Sequence, residues 1–449
     1  MALSLALLIT LPIIAASINM IKANEETGND VKGWPVQQGL WRNVWYKFET
    51  PLITLIFPAG GKKPMFIWWY TNDSSEIYVV KFKGVIEYLT FDTPYYVRQY
   101  PADGFSICER IKQRVIVPRW NQILPSLRQG LANRIESMKY LIEYLFFLHP
   151  PYLSFSACSW ELEGPHLVTD GTVSYWSFNF TVKSIPIPSF KFAENNIEIR
   201  CRFYNTTTTE VIDENHNYTV AAGQLKFDFV VKEWSWNMDR IKPFLDELKD
   251  EYGVEVPPHK TGLALWINMA SVRLQDMDDV ETEIQNQYQN TVEAKSQMRG
   301  ATINNEYYPV TENKTQNPEE YENGIQLTNQ FRERTRIYFA RRERTIAGFL
   351  EFVPWARLLN ETGGTVDYVN VTASYIAAGR HLRLFLCYPY FGNYTLEHDP
   401  TIGLVSAPSI PTLIKPVMLM ILIGATIAIA IAVATVKLRK KTINIVNIQ

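Results

Sequence analysis

The feature that most constrains this chain is an uncharged, apolar run of twenty residues, Val417 to Val436, near its C-terminal end. An α-helix of that length spans roughly 30 Å, the thickness of a bilayer core. Four cations follow within positions 437–441, and an excess of Lys and Arg is retained on the cytoplasmic side of a membrane. The run therefore predicts one transmembrane helix, with the N-terminus outside and the C-terminus cytoplasmic; a buried core helix is the alternative. Small residues at Gly424, Ala428 and Ala432 share one face of this helix and suggest a homodimer contact.

The N-terminal end resembles a secretory signal. An apolar run from Leu3 to Ile14 precedes small residues at Ala15, Ala16 and Ser17, and it is too short to span a bilayer. We expect cleavage near residue 17 or 23, with an uncleaved anchor as the alternative.

The predicted order of regions along the chain is a signal peptide (1–23), an N-terminal α+β region (24–151), a β-sandwich (152–275), a polar insertion with an Arg-rich segment (276–345), the remaining sandwich strands (346–405), a stalk (406–416), the transmembrane helix (417–436) and a cytoplasmic tail (437–449).

Between these ends the sequence has the pattern of β-strands. In SFNFTVK, Phe178, Phe180 and Val182 alternate with polar residues, and QLKFDFVVK (224–232) repeats the alternation for most of its length. Such alternation buries one face of a strand and exposes the other. Further strand-like runs are MFIWWY (65–70), EIYVVKFKGVIEYLTFD (76–92), GFSICERIKQRVIVP (104–118), GLALWINMAS (262–271), GTVDYVNVTASYI (364–376) and RHLRLFLCYPYF (380–391). The predicted fold class is mainly β, an antiparallel β-sandwich ectodomain with a few helices plus one C-terminal transmembrane helix.

Two segments have helical periodicity. The first ends at Pro150 and Pro151, and its apolar residues recur every three or four positions, at Leu124, Leu127, Leu131, Ile135, Met138, Ile142 and Leu145. The second is NMDRIKPFLDELKDEYG, in which Asn237 or Asp239 can cap the start and Gly253 ends the helix. Its apolar stripe is Ile241, Phe244, Leu245 and Leu248. Both stripes predict helices packed against a core.

The apolar density falls between Asp276 and Asn329, which predicts a surface insertion between strands, or a flexible projection that contacts partners. Its acidic start, 276–283, is read as an exposed helix start, with a calcium site as the alternative. Six arginines follow, at Arg332, Arg334, Arg336, Arg341, Arg342 and Arg344. A solvated face paired with acidic residues is the leading interpretation of these arginines, and a site for an anionic ligand is the alternative.

Cysteines and sequons agree with an extracellular location. The four cysteines allow three pairings, of which Cys158–Cys201 with Cys108–Cys387 is favoured and buried free thiols are the alternative. Eight Asn-x-Ser/Thr sequons predict N-glycosylation. They occur at Asn72, Asn179, Asn205, Asn217, Asn313, Asn360, Asn370 and Asn393.

The sequence contains no recognised catalytic motif, so no catalytic residue, cofactor or metal site is predicted. His398 with Asp399 could ligate a metal, but Asp before Pro also forms turns. The predicted ligand-binding residues are Trp68, Trp69, Tyr70, Trp234 and Trp236, because aromatic planes on a sheet can stack on sugar rings; burial between sheets is the alternative. A formal net charge of −2 argues against nucleic-acid binding.

The runs AAGQLKFDFVVKEWSWN, GLALWINMAS, FLCYPYF and LEHDPTIGL resemble those of uncharacterised membrane-anchored surface proteins of crenarchaeal archaea. The resemblance covers residues 152–410 without the insertion, and it implies an exported, β-rich ectodomain on an archaeal cell. It implies no site residues. The expected function is that of a single-pass type I cell-surface glycoprotein in envelope structure, adhesion or binding of an extracellular glycan or protein. A membrane-anchored extracellular hydrolase of glycans or peptides is the alternative. A third possibility is a viral envelope spike, for which IAGFLEFVPW (346–355) is the nearest candidate for a fusion segment.

Overall fold

The computed structural model describes residues 37–41, 45–91, 106–148, 152–184, 196–213, 216–273, 300–303, 306–309, 325–327, 335–339, 346–378 and 381–406. The chain divides into two compact units, Met1–Ala407 and Pro408–Gln449, and the second lies wholly outside the described residues. The predicted signal peptide and transmembrane helix are also outside them. In the described part of the chain, no helix combines the length and apolar character needed to cross a membrane.

The described part is mainly β, and most of its strands form two large antiparallel sheets. Sheet A has the order β1 (Gln37–Trp41), β2 (Trp45–Glu49), β3 (Ile53–Pro58), β4 (Met65–Tyr70), β5 (Asp73–Thr90), β13 (Lys260–Arg273), β22 (His381–Pro389), β21 (Thr372–Ala378) and β16 (Ile325–Leu327), with β6 (Tyr152–Ser154) paired to β5.

Sheet B has the order β15 (Glu306–Pro309), β14 (Gly300–Ile303), β17 (Thr335–Phe339), β18 (Ile346–Phe352), β24 (Thr401–Ser406), β12 (Leu225–Val231), β23 (Thr395–His398), β19 (Trp355–Leu359) and β20 (Thr365–Asn370). On its other edge β12 pairs with β9 (Ile197–Tyr204), which continues to β8 (Val173–Ser184) and β7 (Ser159–Asp170). A separate hairpin is formed by β10 (Thr208–Asp213) and β11 (His216–Val220).

The two sheets pack face to face through an aromatic core. Phe57 of sheet A stacks on Phe178 of sheet B, with ring centroids 4.2 Å apart. Phe48 stacks on Phe203 at 5.4 Å, and Phe82 meets Phe227 edge to face at 5.0 Å. The alternation in β8 and β12 puts Phe178 and Phe227 on the inner face, as the sequence predicts. Each buried aromatic side chain removes roughly 150–250 Å² from water, so this layer stabilises the packing of the two sheets.

A smaller helical core adjoins this layer. Helix α1 (Ser106–Ile111) continues through a π-helical turn (Lys112–Ile116) and a 3₁₀ turn (Val117–Gln122), and is followed by α2 (Pro125–Leu148) and α3 (Met238–Asp250). The predicted stripes of α2 and α3 meet here: Leu131 and Met138 are buried with Ile241 and Phe244. Both predicted helices are confirmed, but Leu124 of the predicted stripe precedes α2 and is 63% exposed. Arg134 of α2 also donates both a 2.7 Å and a 2.9 Å hydrogen bond to the Glu247 carboxylate of α3.

The strand predicted at 104–118 is wrong, because the described part of this segment, from residue 106, is helical. Its β-branched content favours a strand. Its buried residues Ile107, Ile111 and Val115 are spaced by four, which places them on one face of a helix, and they join the helical core. Burial against α2 and α3 outweighs the local preference.

The predicted domain boundaries at residues 151/152 and 345/346 do not separate structural layers. Strands β1 to β5, from the predicted N-terminal region, supply half of sheet A and lie in the same unit as β7 to β9. The predicted polar insertion contributes β16 to sheet A and β14, β15 and β17 to sheet B. Its acidic start and the side chains of its arginines lie outside the described residues.

The predicted Cys158–Cys201 disulfide is not formed, and both residues are buried thiols. Cys158 immediately precedes β7, whose first residue pairs with Ser184 of β8, whereas Cys201 pairs with Phe178 of β8. The cysteines are therefore offset by about 20 Å along the strands, at about 3.3 Å per residue. A disulfide needs α-carbons within about 7 Å. Burial raises the pKa of the Cys158 thiol to about 12, so it is also a poor nucleophile.

The predicted Cys108–Cys387 disulfide is absent as well. Cys387 is a buried thiol whose Sγ lies 3.7 Å from the carbonyl oxygen of Phe385, and the side chain of Cys108 lies outside the described residues. Cys387 packs with Tyr88 and Trp266 on the face of sheet A that points away from sheet B.

Candidate functional site

An irregular segment between β12 and α3, residues 232–237, is held in a fixed conformation. Lys232 N donates to Asn196 O at 2.7 Å, and Asn196 Nδ2 donates to Glu233 O at 2.8 Å. Glu233 has φ of +38°, which is uncommon for a residue with a side chain. Such backbone strain persists only where the surroundings hold it, and it concentrates at functional sites.

This segment buries two of the predicted ligand-binding residues. Trp234 is 3% exposed and Trp236 is 2% exposed. The Trp236 ring lies 4.8 Å from Tyr390 and 4.9 Å from Phe391, and its Nε1 donates to Gly392 O at 3.0 Å. The two tryptophans therefore support the turn between β22 and β23 and do not themselves face solvent.

Tyr390 packs against Trp236 and is itself exposed to solvent. It is 42% exposed, and its hydroxyl donates a 2.6 Å hydrogen bond to Oδ1 of the exposed Asp239. That hydrogen bond raises the pKa of Tyr390 to about 12, aided by partial burial and by the negative charges of Asp239 and Glu87. Tyr394, 44% exposed, ends the same turn. We call residues 233–239 and 390–394 the tip site.

Behind the tip site lies a fully buried carboxyl group, Glu87 of β5. Its Oε2 accepts hydrogen bonds from Asn237 N at 3.1 Å and Asn237 Nδ2 at 2.8 Å, and its Oε1 accepts from Met238 N at 3.0 Å. Burial raises the pKa of Glu87 to about 7, although hydrogen bonds from Met238, Asn237 and Trp234 lower it in part. Glu87 links sheet A to the start of α3, and it is too deeply buried to meet a ligand directly.

The loops of the tip site lie at one end of the two-sheet layer. β12 ends at Val231 where β23 begins, and β19 turns into β20 next to Thr395. β24 runs the opposite way along β12 and ends at Ser406, at the other end of the layer. An exposed tyrosine ring beside a carboxylate that accepts hydrogen bonds suits a ligand with an apolar face and hydroxyl edges.

The other predicted ligand-binding residues do not join this site. Trp68 is buried between the sheets against Tyr78 and Phe339, and Trp69 is buried on the opposite face of sheet A. Tyr70 is half-buried at the end of β4. In this continuous apolar run both strand faces are covered, so the indoles of Trp68 and Trp69 are inaccessible to a ligand.

Apart from the tip site, a cluster of charged side chains covers the outer face of sheet B. We call it the charged face. Its members are Glu198, Arg200, Arg202, Glu210, Lys226, Asp228, Lys232, Arg357, Glu397 and Asp399. Each carboxylate contacts at least one cation: Asp228 contacts Arg202 at 3.0 Å, and Glu210 contacts Lys226 at 3.0 Å. Since Glu210 lies on β10, these ion pairs attach the β10–β11 hairpin to sheet B.

Two carboxylates of the charged face respond differently to their surroundings. Burial raises the pKa of Asp228, although Arg202 and Lys226 act in the opposite direction. Burial also acts to raise the pKa of Glu198, but hydrogen bonds from Lys232 and Arg200 outweigh it and lower that pKa. The cations of the charged face balance the charges of its carboxylates, so we interpret the cluster as a structural network.

His398 and Asp399 do not form a metal site. The His398 ring is buried between the Tyr388 hydroxyl, at 3.0 Å from Nδ1, and Val353 O, at 2.9 Å from Nε2. Burial lowers the pKa of His398 to about 4. Asp399 instead pairs with Lys226 on the charged face, at 3.1 Å. Among the residues that the structure describes, no group of three or more His, Cys, Asp or Glu side chains could hold a metal ion.

Sequence reasoning missed the exposed and charged members of the tip site. Tyr390 and Tyr394 belong to the run YPYFGNY, whose Gly and Asn mark a turn, and an aromatic residue in a turn is a signal for exposure. Glu87 had no such signal, because it occupies an apolar strand and acquires its partners only when α3 packs on β5.

The described part of the chain defines a class: a mainly β protein of two packed antiparallel sheets with an aromatic and carboxylate site at one end. No protein-family model matches the chain, and no curated protein matches it significantly.

Proposed function

We propose that this chain is a single-pass type I cell-surface glycoprotein whose β-rich ectodomain binds an extracellular carbohydrate at the tip site. The apolar run at 417–436, the basic cluster after it and the signal-like N-terminus support the location. Ten residues, 407–416, connect β24 to the proposed membrane span. The resemblance to crenarchaeal surface proteins favours an archaeal cell envelope as the setting.

The observation that carries the binding proposal is the pairing of Tyr390 with Asp239. The ring of Tyr390 is exposed and is braced from below by Trp236, so little side-chain entropy is lost when a ligand stacks on it. Asp239 accepts hydrogen bonds only, and sugar hydroxyls are donors. A pyranose ring satisfies both groups at once, with its CH face on Tyr390 and a hydroxyl on Asp239.

The test is binding of purified full-length protein in detergent micelles to an immobilised panel of neutral and acidic glycans. Tyr390→Ala should weaken binding of the glycan hits roughly tenfold, about 1.4 kcal/mol. Asp239→Asn should weaken it less, since the amide oxygen still accepts a hydrogen bond. Tyr140→Ala is the matched control, because Tyr140 is an exposed tyrosine on α2.

Equal binding by wild type and Tyr390→Ala would reject the tip site as the binding surface. Cleavage of the same glycans by the wild-type protein would instead support the alternative, a membrane-anchored hydrolase.

A further inference from the structure

The structure shows the environments of six of the eight sequon asparagines, and these environments differ. Four asparagines are exposed, in turns or at strand ends: Asn72, Asn360, Asn370 and Asn393. Asn179 is half-buried within β8, and Asn205 is 5% exposed. The side chains of Asn217 and Asn313 lie outside the described residues. N-glycosylation attaches a bulky sugar to Nδ2 of asparagine, so that nitrogen must reach solvent in the folded protein.

Asn360 has the side-chain geometry that this modification needs. Its Oδ1 accepts three hydrogen bonds, from Thr362 N at 3.0 Å, Thr362 Oγ1 at 2.8 Å and Gly364 N at 2.8 Å. The carboxamide is therefore fixed by its oxygen alone, and Nδ2 makes no hydrogen bond to any described residue. The turn itself is closed by Gly363 N donating to Asn360 O at 3.0 Å, so the sequon is held on the surface.

Asn205 has the same sequon and the opposite environment. Its Nδ2 donates to Ser174 Oγ at 3.0 Å, and its backbone N donates to Ser174 O at 2.9 Å. This Nδ2 is buried, so a sugar bonded to it would have to displace β8. In Asn179, Nδ2 lies 3.2 Å from the hydroxyl of Thr181, the residue that completes its sequon.

We propose that Asn360 is an N-glycan acceptor and that Asn205 is not. This inference depends on the proposed extracellular location. The glycan donor is an oligosaccharide linked to a lipid diphosphate: Nδ2 forms a bond to the anomeric carbon, the bond from that carbon to the diphosphate oxygen breaks, and the lipid diphosphate leaves. A base of the host transferase takes one Nδ2 proton.

This position matters for the tip site. Leu359 pairs with Thr395, so the turn that holds Asn360 is adjacent to Tyr394. A glycan on Asn360 therefore borders the tip site and limits the size of a ligand that approaches from the side of β20.

The experiment is glycopeptide mass spectrometry of full-length protein from the membranes of a host that has an oligosaccharyltransferase. The peptide containing Asn360 should carry glycan, and the peptide containing Asn205 should be unmodified. Thr362→Ala should abolish modification at Asn360, whereas Thr362→Ser should retain it. Asn360→Gln should raise electrophoretic mobility by the shift of one glycan.

A new sequon elsewhere on the surface serves as a reporter, because it distinguishes a failure of the Asn360 proposal from a failure of the proposed extracellular location. Asp170→Asn creates an Asn-Gly-Thr sequon in the exposed turn between β7 and β8. A modified reporter with an unmodified Asn360 would overturn this inference and leave the extracellular location intact. A modified Asn205 would also overturn it. An unmodified reporter together with an unmodified Asn360 would overturn the extracellular location itself.

Discussion

Glu87 on β5 caps helix α3, although the two are 150 residues apart in the chain. Its carboxylate accepts the backbone N–H groups of Asn237 and Met238, at 3.1 and 3.0 Å. Asn237 occupies the N-cap position but makes no capping bond with its own side chain, which donates to Glu87 instead. A negative group at this end also interacts favourably with the helix dipole. One buried carboxyl therefore joins sheet A, the helical core and the tip site.

The buried Glu87 predicts that acidification stabilises the fold at this position. Its pKa is raised from 4.5 to about 7, so the folded state binds its proton more tightly than the unfolded state. The contribution is fully present below pH 4.5 and is lost as the pH rises through about 7, on the order of 3 kcal/mol. Glu87→Gln mimics the protonated form at every pH. The free energy of unfolding of the wild type, minus that of Glu87→Gln, should therefore rise from pH 8 to pH 4 in urea titrations.

The control for this pH effect is Glu233→Gln, which changes an exposed carboxylate in the adjoining segment. Only a pH dependence of the Glu87→Gln difference beyond that of the Glu233→Gln difference counts as the effect of burial. A flat difference for Glu87→Gln would show that Glu87 is ionised equally in the folded and unfolded states.

Local sequence signals predicted α3 correctly but not the group that caps it. The spacing of Ile241, Phe244 and Leu248 is a local property and identified the buried face. The cap comes from a distant strand, and no window of sequence around Asn237 contains it. The same limit explains the tryptophans: nothing in the sequence around Trp234 and Trp236 shows that the distant β22–β23 turn covers Trp236.

Two glycines should respond in opposite ways to substitution by alanine. A Cβ on Gly262 would lie 1.9 Å from Tyr388 O and 2.4 Å from the Tyr88 hydroxyl, so Gly262→Ala forces β13 away from β22. We expect a loss of more than about 3 kcal/mol in the free energy of unfolding, at the upper end of overpacking costs. Gly130 lies within α2 with no contact to its Cβ position below 3.7 Å. Gly130→Ala should stabilise by about 1 kcal/mol through helix propensity.

Both glycine variants are checked by urea unfolding followed by tryptophan fluorescence. A stable Gly262→Ala protein would show that β13 and β22 are farther apart than the structure has them.

Substitution of Lys226 measures how much the ion pairs of the charged face contribute to the free energy of unfolding. Its amine is almost fully buried and contacts Glu210 at 3.0 Å and Asp399 at 3.1 Å. Lys226→Met keeps the volume but leaves both carboxylates without that cation, so we expect a loss of about 3 kcal/mol. Lys183→Met removes a cation from an exposed pair with Glu161 and should change stability by no more than about 0.5 kcal/mol.

The β10–β11 hairpin gives this prediction a second measurement. Because Glu210 attaches the hairpin to sheet B, Lys226→Met should accelerate amide hydrogen exchange in β10 and β11 before β12 opens. Equal exchange in Lys226→Met and Lys183→Met would mean that other contacts hold the hairpin.

The sequence predicts those parts of the fold that depend on the residue pattern within one segment, but not those that depend on contacts between distant segments. Alternation predicted β8 and β12 and the faces that carry Phe178 and Phe227, because a strand buried on one face has a periodic pattern. Strand β4 is buried on both faces, so its continuous apolar run lacked the alternation that would have shown that both Trp68 and Trp69 are inaccessible. The segment with Ile107, Ile111 and Val115 fits a strand by composition and a helix by spacing, and only the contact with α2 decides between them.

The membrane anchor gives the last prediction, and it tests the location on which both proposals depend. Ile427 lies at the middle of the proposed span, where one ionised side chain costs about 3 kcal/mol. Ile427→Arg combined with Ile429→Arg should therefore move the protein from the membrane pellet to the soluble fraction after ultracentrifugation without detergent. Ile443→Arg adds a cation beyond the span, in the proposed cytoplasmic tail, and should leave the protein in the pellet. Wild-type protein that is soluble without detergent would contradict the anchor.

The orientation of the anchored protein has its own test. External protease should degrade the ectodomain on intact cells, because a type I orientation exposes it to the medium. An ectodomain left intact under conditions that digest an unfolded surface control would contradict that orientation.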